Sequence, residues 1–324
     1  MFDRRELSPA LSAVRATHAP GALVLDVAGD FEVLPPEIAE NLGPMVDRFD
    51  PLSYPAEWVP ADATLLETDL TKREDVERAV TAAVDIVFHL AARTDPNDDN
   101  PRGQFAENTA ATHLLLEQCR QTSVERFAFA SSSTVYGEAE RPTPEEYTPL
   151  EPISVYGASK LGEEGLVSTF AHSHGITADI FRFANIVGPR LRGAVIPDFV
   201  EKLRADSERL TILGDGRQEK SYMHVDDCVD AMRHVVQHAA GGPVRTYNLG
   251  TRTTTSVDDI AEIVADVLGV DPVFEYTGGA RGWTGDVPRM RLAIDRLLET
   301  DWEPAHESDA AVRRATRQLA VELD

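Results

Sequence analysis

Tyr156 and Lys160 stand four residues apart in the segment Tyr156-Gly-Ala-Ser-Lys160, and the run Ser131-Ser132-Ser133-Thr134-Val135-Tyr136-Gly137 precedes them. On a helix, residues at that spacing share a face, with roughly 5–6 Å between their Cβ atoms. A free phenol keeps its proton to about pH 10. A nearby ammonium favours the phenolate and lowers that value, so the pair is suited to act as a base near neutral pH. A hydroxyl from the serine run can orient the same oxygen. The chemistry this implies is removal of a proton from a sugar or alcohol hydroxyl while hydride leaves its carbon. Taken alone the spacing is weak and more often marks two residues on a solvated helix face, so its weight comes from its surroundings.

Those surroundings alternate between strand and helix signals from residue 64 onward. Short apolar runs such as Val84–Leu90, Arg126–Ser131 and Ala178–Phe183 end in small or polar residues, and helix-like stretches at Arg73–Ala83, Gly103–Gln121 and Ser154–His174 lie between them. Continuous apolar strands separated by helices predict parallel βαβ units with helices on both faces of the sheet. Ligands of such folds sit at the carboxyl ends of the strands. The serine run and the residues after Phe183 fall at such ends. After about residue 188 the pattern changes, with breaks at Gly188-Pro189 and Gly193. Helices are expected at 196–205, 225–238, 257–268 and from about Ser308, with the stretch Leu210–Gly216 after the first and a strand near 246–249. The expected fold is a Rossmann-like, doubly wound α/β sheet over residues 1–187. A smaller α/β substrate-binding region over 188–324 is expected to be partly interleaved with it.

Composition narrows the classes of function. The chain has 324 residues, 42% of them hydrophobic, enough for a sizeable core. No apolar run approaches a membrane span and the N-terminus has no signal-peptide pattern, so a cytoplasmic location is the expectation. Cys119 and Cys228 are the only cysteines, and the nine histidines are scattered, which argues against a catalytic metal. The formal charge of −24 is spread along the chain, which argues against nucleic-acid and anionic-membrane partners. It suits a halophilic cytoplasm, where salt screens self-repulsion.

These residues resemble the extended short-chain dehydrogenase family, and within it the nucleotide-sugar epimerases and dehydratases of the UDP-glucose 4-epimerase type. The resemblance covers about residues 45–305 and rests on ordered landmarks: Glu67-Thr-Asp69-Leu70, His89-Leu-Ala-Ala92, Asn108, the 131–137 and 156–160 segments, Arg182-Phe-Ala-Asn185-Ile-Val-Gly-Pro189, Tyr222-Met-His-Val-Asp-Asp227, Tyr247-Asn-Leu-Gly250 and Gly285-Asp286. It implies an NAD-dependent 4-epimerase in which hydride moves transiently to the nicotinamide and returns to the other face of a keto-sugar. Tyr156 would be the base, Lys160 its ammonium partner and Ser132 the hydroxyl on the substrate oxygen. Asp47, Asp69, Leu70, Leu90, Ala91, Ala92, Asn108, Tyr156, Lys160 and Ala184 would line NAD, with Asp47 favouring NAD over NADP through the ribose hydroxyl. Ser132, Asn185, Lys220, Tyr222 and Arg281 would contact a UDP-sugar, and a homodimer through the 103–121 and 154–174 helices is implied. Bland alternatives stand beside several of these: Asp47 as a surface acid, Asp69 as an acid before a helix, Asn185 as a turn residue, Arg281 as a loop arginine. The family's 4,6-dehydratases carry an Asp-Glu pair after the hydroxyl residue. Ser133 and Thr134 stand here instead, which favours an epimerase or a sugar dehydrogenase or reductase.

Two departures accompany the resemblance. The family's glycine-rich turn, GxxGxxG, is missing: residues 1–44 carry Gly21, Gly29 and Gly43 without that spacing. Ala22–Ala28 reads as a first strand, but Asp30, Glu32 and two prolines follow where pyrophosphate and a helix N-terminus are expected. A frame or start-site error, a divergent protein without tight NAD binding, and an unusual loop with the same role each account for this. A catalytically silent binding or regulatory protein is therefore the rival class. The second departure is late in the chain, where Trp283 takes the place of an Arg and Lys220 replaces a bidentate fork by a point charge.

Overall fold

The computed structural model describes residues 22–25, 66, 68–94, 99–122, 124–281 and 287–323. In chain order the elements begin with β1 (Ala22–Leu25), α1 (Arg73–Ala79), β2 (Ile86–His89), α2 (Pro101–Thr122), β3 (Arg126–Ser132), a 3-10 turn (Ser133–Tyr136), α3 (Val155–His174), β4 (Thr177–Phe183) and β5 (Asn185–Val187). They continue with α4 (Val195–Ala205), β6 (Arg209–Ile212), β7 (Glu219–Lys220), β8 (Tyr222–His224), α5 (Val225–His238), β9 (Val244–Leu249), β10 (Thr255–Ser256), α6 (Val257–Leu268) and β11 (Val273–Tyr276). The last are β12 (Arg289–Met290), α7 (Asp295–Leu298) and α8 (Ser308–Glu322).

Contacts divide the chain into two units, one made of Met1–Ser131, Ser154–Phe181 and Ala239–Thr246, the other of Ser132–Ile153, Arg182–His238 and Tyr247–Asp324. The central sheet has the order β1-β2-β3-β4-β9. β1 pairs parallel with β2, with Ala22 opposite Ile86, and β2 pairs parallel with β3. β3 and β4 are each buried along their five inner residues without alternation, as strands covered on both faces must be. This is the expected Rossmann-like α/β sheet.

The first core gathers Val87, Phe127 and Phe129 from the strands with Leu115, Leu116 and Val167 from α2 and α3. α3 is bounded by strong local signals. Ser154 caps it by accepting from the Gly157 N–H at 3.0 Å, and Gly175 ends it in the left-handed conformation. α1 stops at Ala79, four residues short of the sequence expectation. Val80 turns extended and fully buried, and its carbonyl accepts from Gln118 Nε2 of α2 at 2.8 Å. Tertiary packing overrides helix propensity at that point.

In the second unit, α4, α6 and α8 pack around a core of Phe199, Leu210, Ile260, Val264, Val312 and Leu319. Its strands are short: β10-β7-β12, β11-β6 and β5-β8 form three small sheets.

Candidate active site

α3 carries both members of the sequence-predicted base. Tyr156 lies in its first turn and is half-buried, and Lys160 lies one turn on with 1% of its surface exposed. The Lys160 ammonium is 4.7 Å from the Phe129 ring centroid and 6.0 Å from that of Tyr156. Its one hydrogen-bond acceptor among the described residues is Glu163 Oε2, at a long 3.4 Å. An ammonium has three donors. A buried one with so little protein engagement suits a polar ligand that brings its own acceptors, such as the hydroxyls of a ribose.

Ser159, between the pair, donates to the Tyr156 carbonyl at 2.8 Å and accepts from Asn108 Nδ2 at 3.1 Å. Asn108 also accepts from the Arg93 N–H at 2.8 Å and donates to the Arg93 carbonyl at 3.0 Å. Both amide donors of Asn108 are thus spent on protein, and the side chain ties the segment after β2 to the helix that bears Tyr156 and Lys160. The other end of the same helix region is tied to β3 by Ser131 Oγ, which donates to Glu164 Oε1 at 2.5 Å.

Leu70 and Ala91 are buried in the first core, Ala92 is buried and Leu90 half-buried, so Leu70 and Ala91 can meet a cofactor only through their backbone. Asp69 sits just before α1. Its Oδ1 accepts from the Thr71 N–H at 3.0 Å and the Thr71 hydroxyl at 2.6 Å, and Lys72 pairs with it at 3.1 Å. Partial burial pushes its pKa up, but the Thr71 bonds and Lys72 outweigh that and hold it below the usual value. These contacts are local to the start of α1. Asp47 lies outside the described residues, as do Glu67, Trp283, Gly285, Asp286 and the stretch where the glycine-rich turn is expected.

In the second unit, Ser132 ends β3 and accepts from the Thr134 N–H at 3.2 Å, capping the 3-10 turn. Its hydroxyl hydrogen has no acceptor among the described residues and is available to a substrate oxygen. The turn closes on Gly137, whose φ is +65°, and a Cβ there would lie 2.1 Å from the Glu151 carbonyl oxygen. Gly137→Ala is therefore expected to destabilise the protein by about 1–3 kcal/mol from the backbone alone, and by more from the clash. A denaturant melt checks this, and a wild-type midpoint would contradict it.

Tyr136, Arg182 and Asn248 are landmarks turned inward. Tyr136 donates to Asn248 Oδ1 at 2.8 Å and accepts from Arg182 Nη1 at 2.8 Å. Asn248 further binds the Thr143 and Ala293 carbonyls at 3.0 and 2.9 Å. Ala184 is buried, and its N–H donates to the Leu249 carbonyl at 2.8 Å. The half-buried Asn185 side chain is unengaged among the described residues, as a ligand contact requires. Lys220 is half-buried on β7. Tyr222, expected to face substrate, is 6% exposed and belongs to the second core. Arg281 pairs with Glu138 at the surface. Among the described residues no cluster of metal-ligating side chains occurs, and no helix is long and apolar enough to cross a membrane. Both cysteines are free and buried, and burial pushes the Cys119 thiol up to about 12.

The profile of the NAD dependent epimerase/dehydratase family matches residues 39–250. The chain belongs to that family. It is 36% identical over 206 residues to an uncharacterized UDP-glucose epimerase of Bacillus subtilis, covering 61% of this chain and 63% of that protein. The match covers only about 30% of three trifunctional dehydratase–epimerase–reductase proteins of Arabidopsis thaliana. Among solved structures, a UDP-galactose 4-epimerase superposes with a TM-score of 0.73 at 39% identity, covering 83% of this chain and 87% of that one. The Thermus thermophilus UDP-glucose 4-epimerase in complex with NAD gives 0.71 at 27% identity, covering 81% and 86%.

Sequence reasoning missed the buried neighbours of Lys160. His89 was a landmark without a role, and Thr112, Glu163 and Glu164 were unremarked. The available signal was a pair of acids three and four residues after Lys160, on the face that the helix turns inward.

Proposed function

We propose that this protein is an NAD-dependent nucleotide-sugar 4-epimerase acting on a UDP-sugar. The observation that carries the reading is the buried Lys160 ammonium beside the half-buried Tyr156 ring on one helix, with donors left over after its single long bond to Glu163. Tyr156 takes the proton of the sugar hydroxyl. Lys160 stabilises the phenolate electrostatically and offers its remaining donors to the nicotinamide ribose. Ser132, whose hydrogen is uncommitted, donates to the same sugar oxygen. NAD, when bound, accepts hydride from the sugar carbon and gives it back. Asn108 holds the segment after β2 in place, and Asn185 and Arg281 engage the substrate.

Dehydratases also belong to this family, and positions 133 and 134 separate the two reactions. Neither Ser133 nor Thr134 can supply the acid that water elimination needs. The acidic surface supports a salt-adapted cytoplasm as the working environment, and exposed Phe105 on α2 supports a homodimer through α2 and α3.

The test is calorimetric titration with NAD in high salt, followed by assay on UDP-glucose and UDP-galactose. The expected result is stoichiometric binding and interconversion of the two sugars with no net reduced cofactor. Steady accumulation of reduced cofactor would instead identify a sugar dehydrogenase, and absence of binding would favour the silent binding protein.

A further inference from the structure

Four buried side chains from three elements of the first unit connect in series behind the base. His89 Nε2 lies 2.8 Å from Thr112 Oγ1, Thr112 donates to Glu163 Oε2 at 2.6 Å, and Lys160 donates to the same oxygen at 3.4 Å. His89, Thr112 and Glu163 are fully buried and Lys160 nearly so. The direction of each bond follows from donor counting. A carboxylate only accepts, so the single Thr112 hydrogen goes to Glu163. The Thr112 oxygen can then only accept from His89, which fixes the imidazole as the Nε2–H tautomer. Burial holds His89 well below its usual pKa, and the Lys160 charge adds to this, so the ring stays neutral. Its Nδ1 has no hydrogen-bond partner among the described residues, and the ring lies 5.9 and 5.7 Å from Phe127 and Phe129.

As mere glue between helices this arrangement is a poor choice, since well-packed apolar side chains hold helices together at least as well as a buried ion pair. The other acids of α2 and α3 are engaged elsewhere, Glu117 of α2 with Arg120. Glu164 of α3 takes the Ser131 hydroxyl, and Glu107 of α2 pairs with Arg93. β3 brings Phe129 against the ammonium and no charge. Glu163 is therefore the one counter-charge in contact with Lys160 among the described residues.

We propose that Glu163, oriented by Thr112 and His89, is a positioning residue that sets the charge balance of the Tyr156–Lys160 base. The proposal rests on the epimerase reading for what that base does. With Glu163 ionised, the carboxylate compensates the buried ammonium and tempers its pull on the phenol. Removing that negative charge makes every nearby group give up its proton more readily.

Glu163→Gln keeps the shape and an acceptor for Thr112. Its turnover-against-pH profile is expected to move as a whole, both limbs shifting to lower pH by about one unit. A second reading needs neither cofactor nor activity: phenolate absorbance is titrated in the ligand-free protein, with the same titration in a Tyr156→Phe background subtracted. The Tyr156 midpoint should fall by a similar amount in Glu163→Gln. Thr112→Val, which removes only the orienting donor, should shift it partway, and Thr112→Ser should restore it. Should Glu163→Gln fail to fold, the Thr112 pair decides alone. An unmoved Tyr156 midpoint in Glu163→Gln, or identical midpoints in Thr112→Val and Thr112→Ser, would overturn the proposal. A moved midpoint in a protein that never turns over a UDP-sugar would support the charge coupling and sink the epimerase reading.

Discussion

Tyr156→Phe is expected to lower turnover of a UDP-sugar by roughly a hundred- to ten-thousand-fold while NAD binding persists. The variant deletes one oxygen and keeps the ring. Tyr156 is half-buried, its ring centroid lies 6.0 Å from the Lys160 ammonium, and the helix N-terminus is held by the hydrogen bonds of Ser154, Ser159 and Asn108. The caps of the helix stay in place, and the loss is expected to fall on proton transfer. Lys160→Met is the companion variant. It leaves Glu163 as a buried, unpaired carboxylate and removes the donors for a ribose, so cofactor binding should weaken along with turnover. Calorimetry and a coupled epimerase assay measure the two quantities separately. Near-normal turnover in Tyr156→Phe would remove Tyr156 from the role of base.

The sheet and long helices were legible in the sequence because their signals are local and repeated. The α5 and α6 spans were read as 225–238 and 257–268, as found, since each has a clean apolar stripe and α6 has a capping box at Ser256. Strands of two or three residues such as β7, β10 and β12 carry no period, and only their partners define them. For the site, residue type and spacing pointed to Tyr156, Lys160 and a hydroxyl of the serine run as candidates, and the resemblance to Ser132 among them. They did not distinguish groups that face a ligand from groups that hold the frame. Asn108 and Asp69 make hydrogen bonds within the protein and Tyr222 packs in the second core, contacts that residue type and spacing do not show. The Glu163–Thr112–His89 series joins residues separated by 51 and 23 positions, so nothing in the linear chain announces it.

Arg245→Met is expected to destabilise the protein by about 3–5 kcal/mol. Asp179 on β4 is fully buried and pairs with Arg245 of β9 at 2.5 Å, while Arg126 at the start of β3 approaches at 3.8 Å. Arg245 also donates to the Ala239 carbonyl. Burial pushes the Asp179 pKa up, and the two arginines pull it back without cancelling that rise. The pair therefore stands at the costly end of buried ion pairs, where removing one member exposes the full desolvation penalty of the other. The pH sense follows. An acid whose folded pKa is raised loses stability as pH climbs from its unfolded value, near 3.9, through its folded one. Without Arg245 that rise grows, so the deficit of Arg245→Met should be greatest at neutral pH and shrink in mild acid, where Asp179 protonates. The double variant Asp179→Leu/Arg245→Met removes both charges, and the partly exposed Arg126 can turn to water. Its stability should return to within about 1–2 kcal/mol of the wild type. Denaturant melts at fixed high salt across that pH range measure all three proteins. Equal losses in the single and double variants would mean that packing, not an unpaired charge, governs this end of the sheet. The cluster joins the starts of β3, β4 and β9, whereas Ser132 and the serine run mark the end of β3. The double variant should consequently keep its NAD affinity and turnover, which separates what stabilises the sheet from what serves the base.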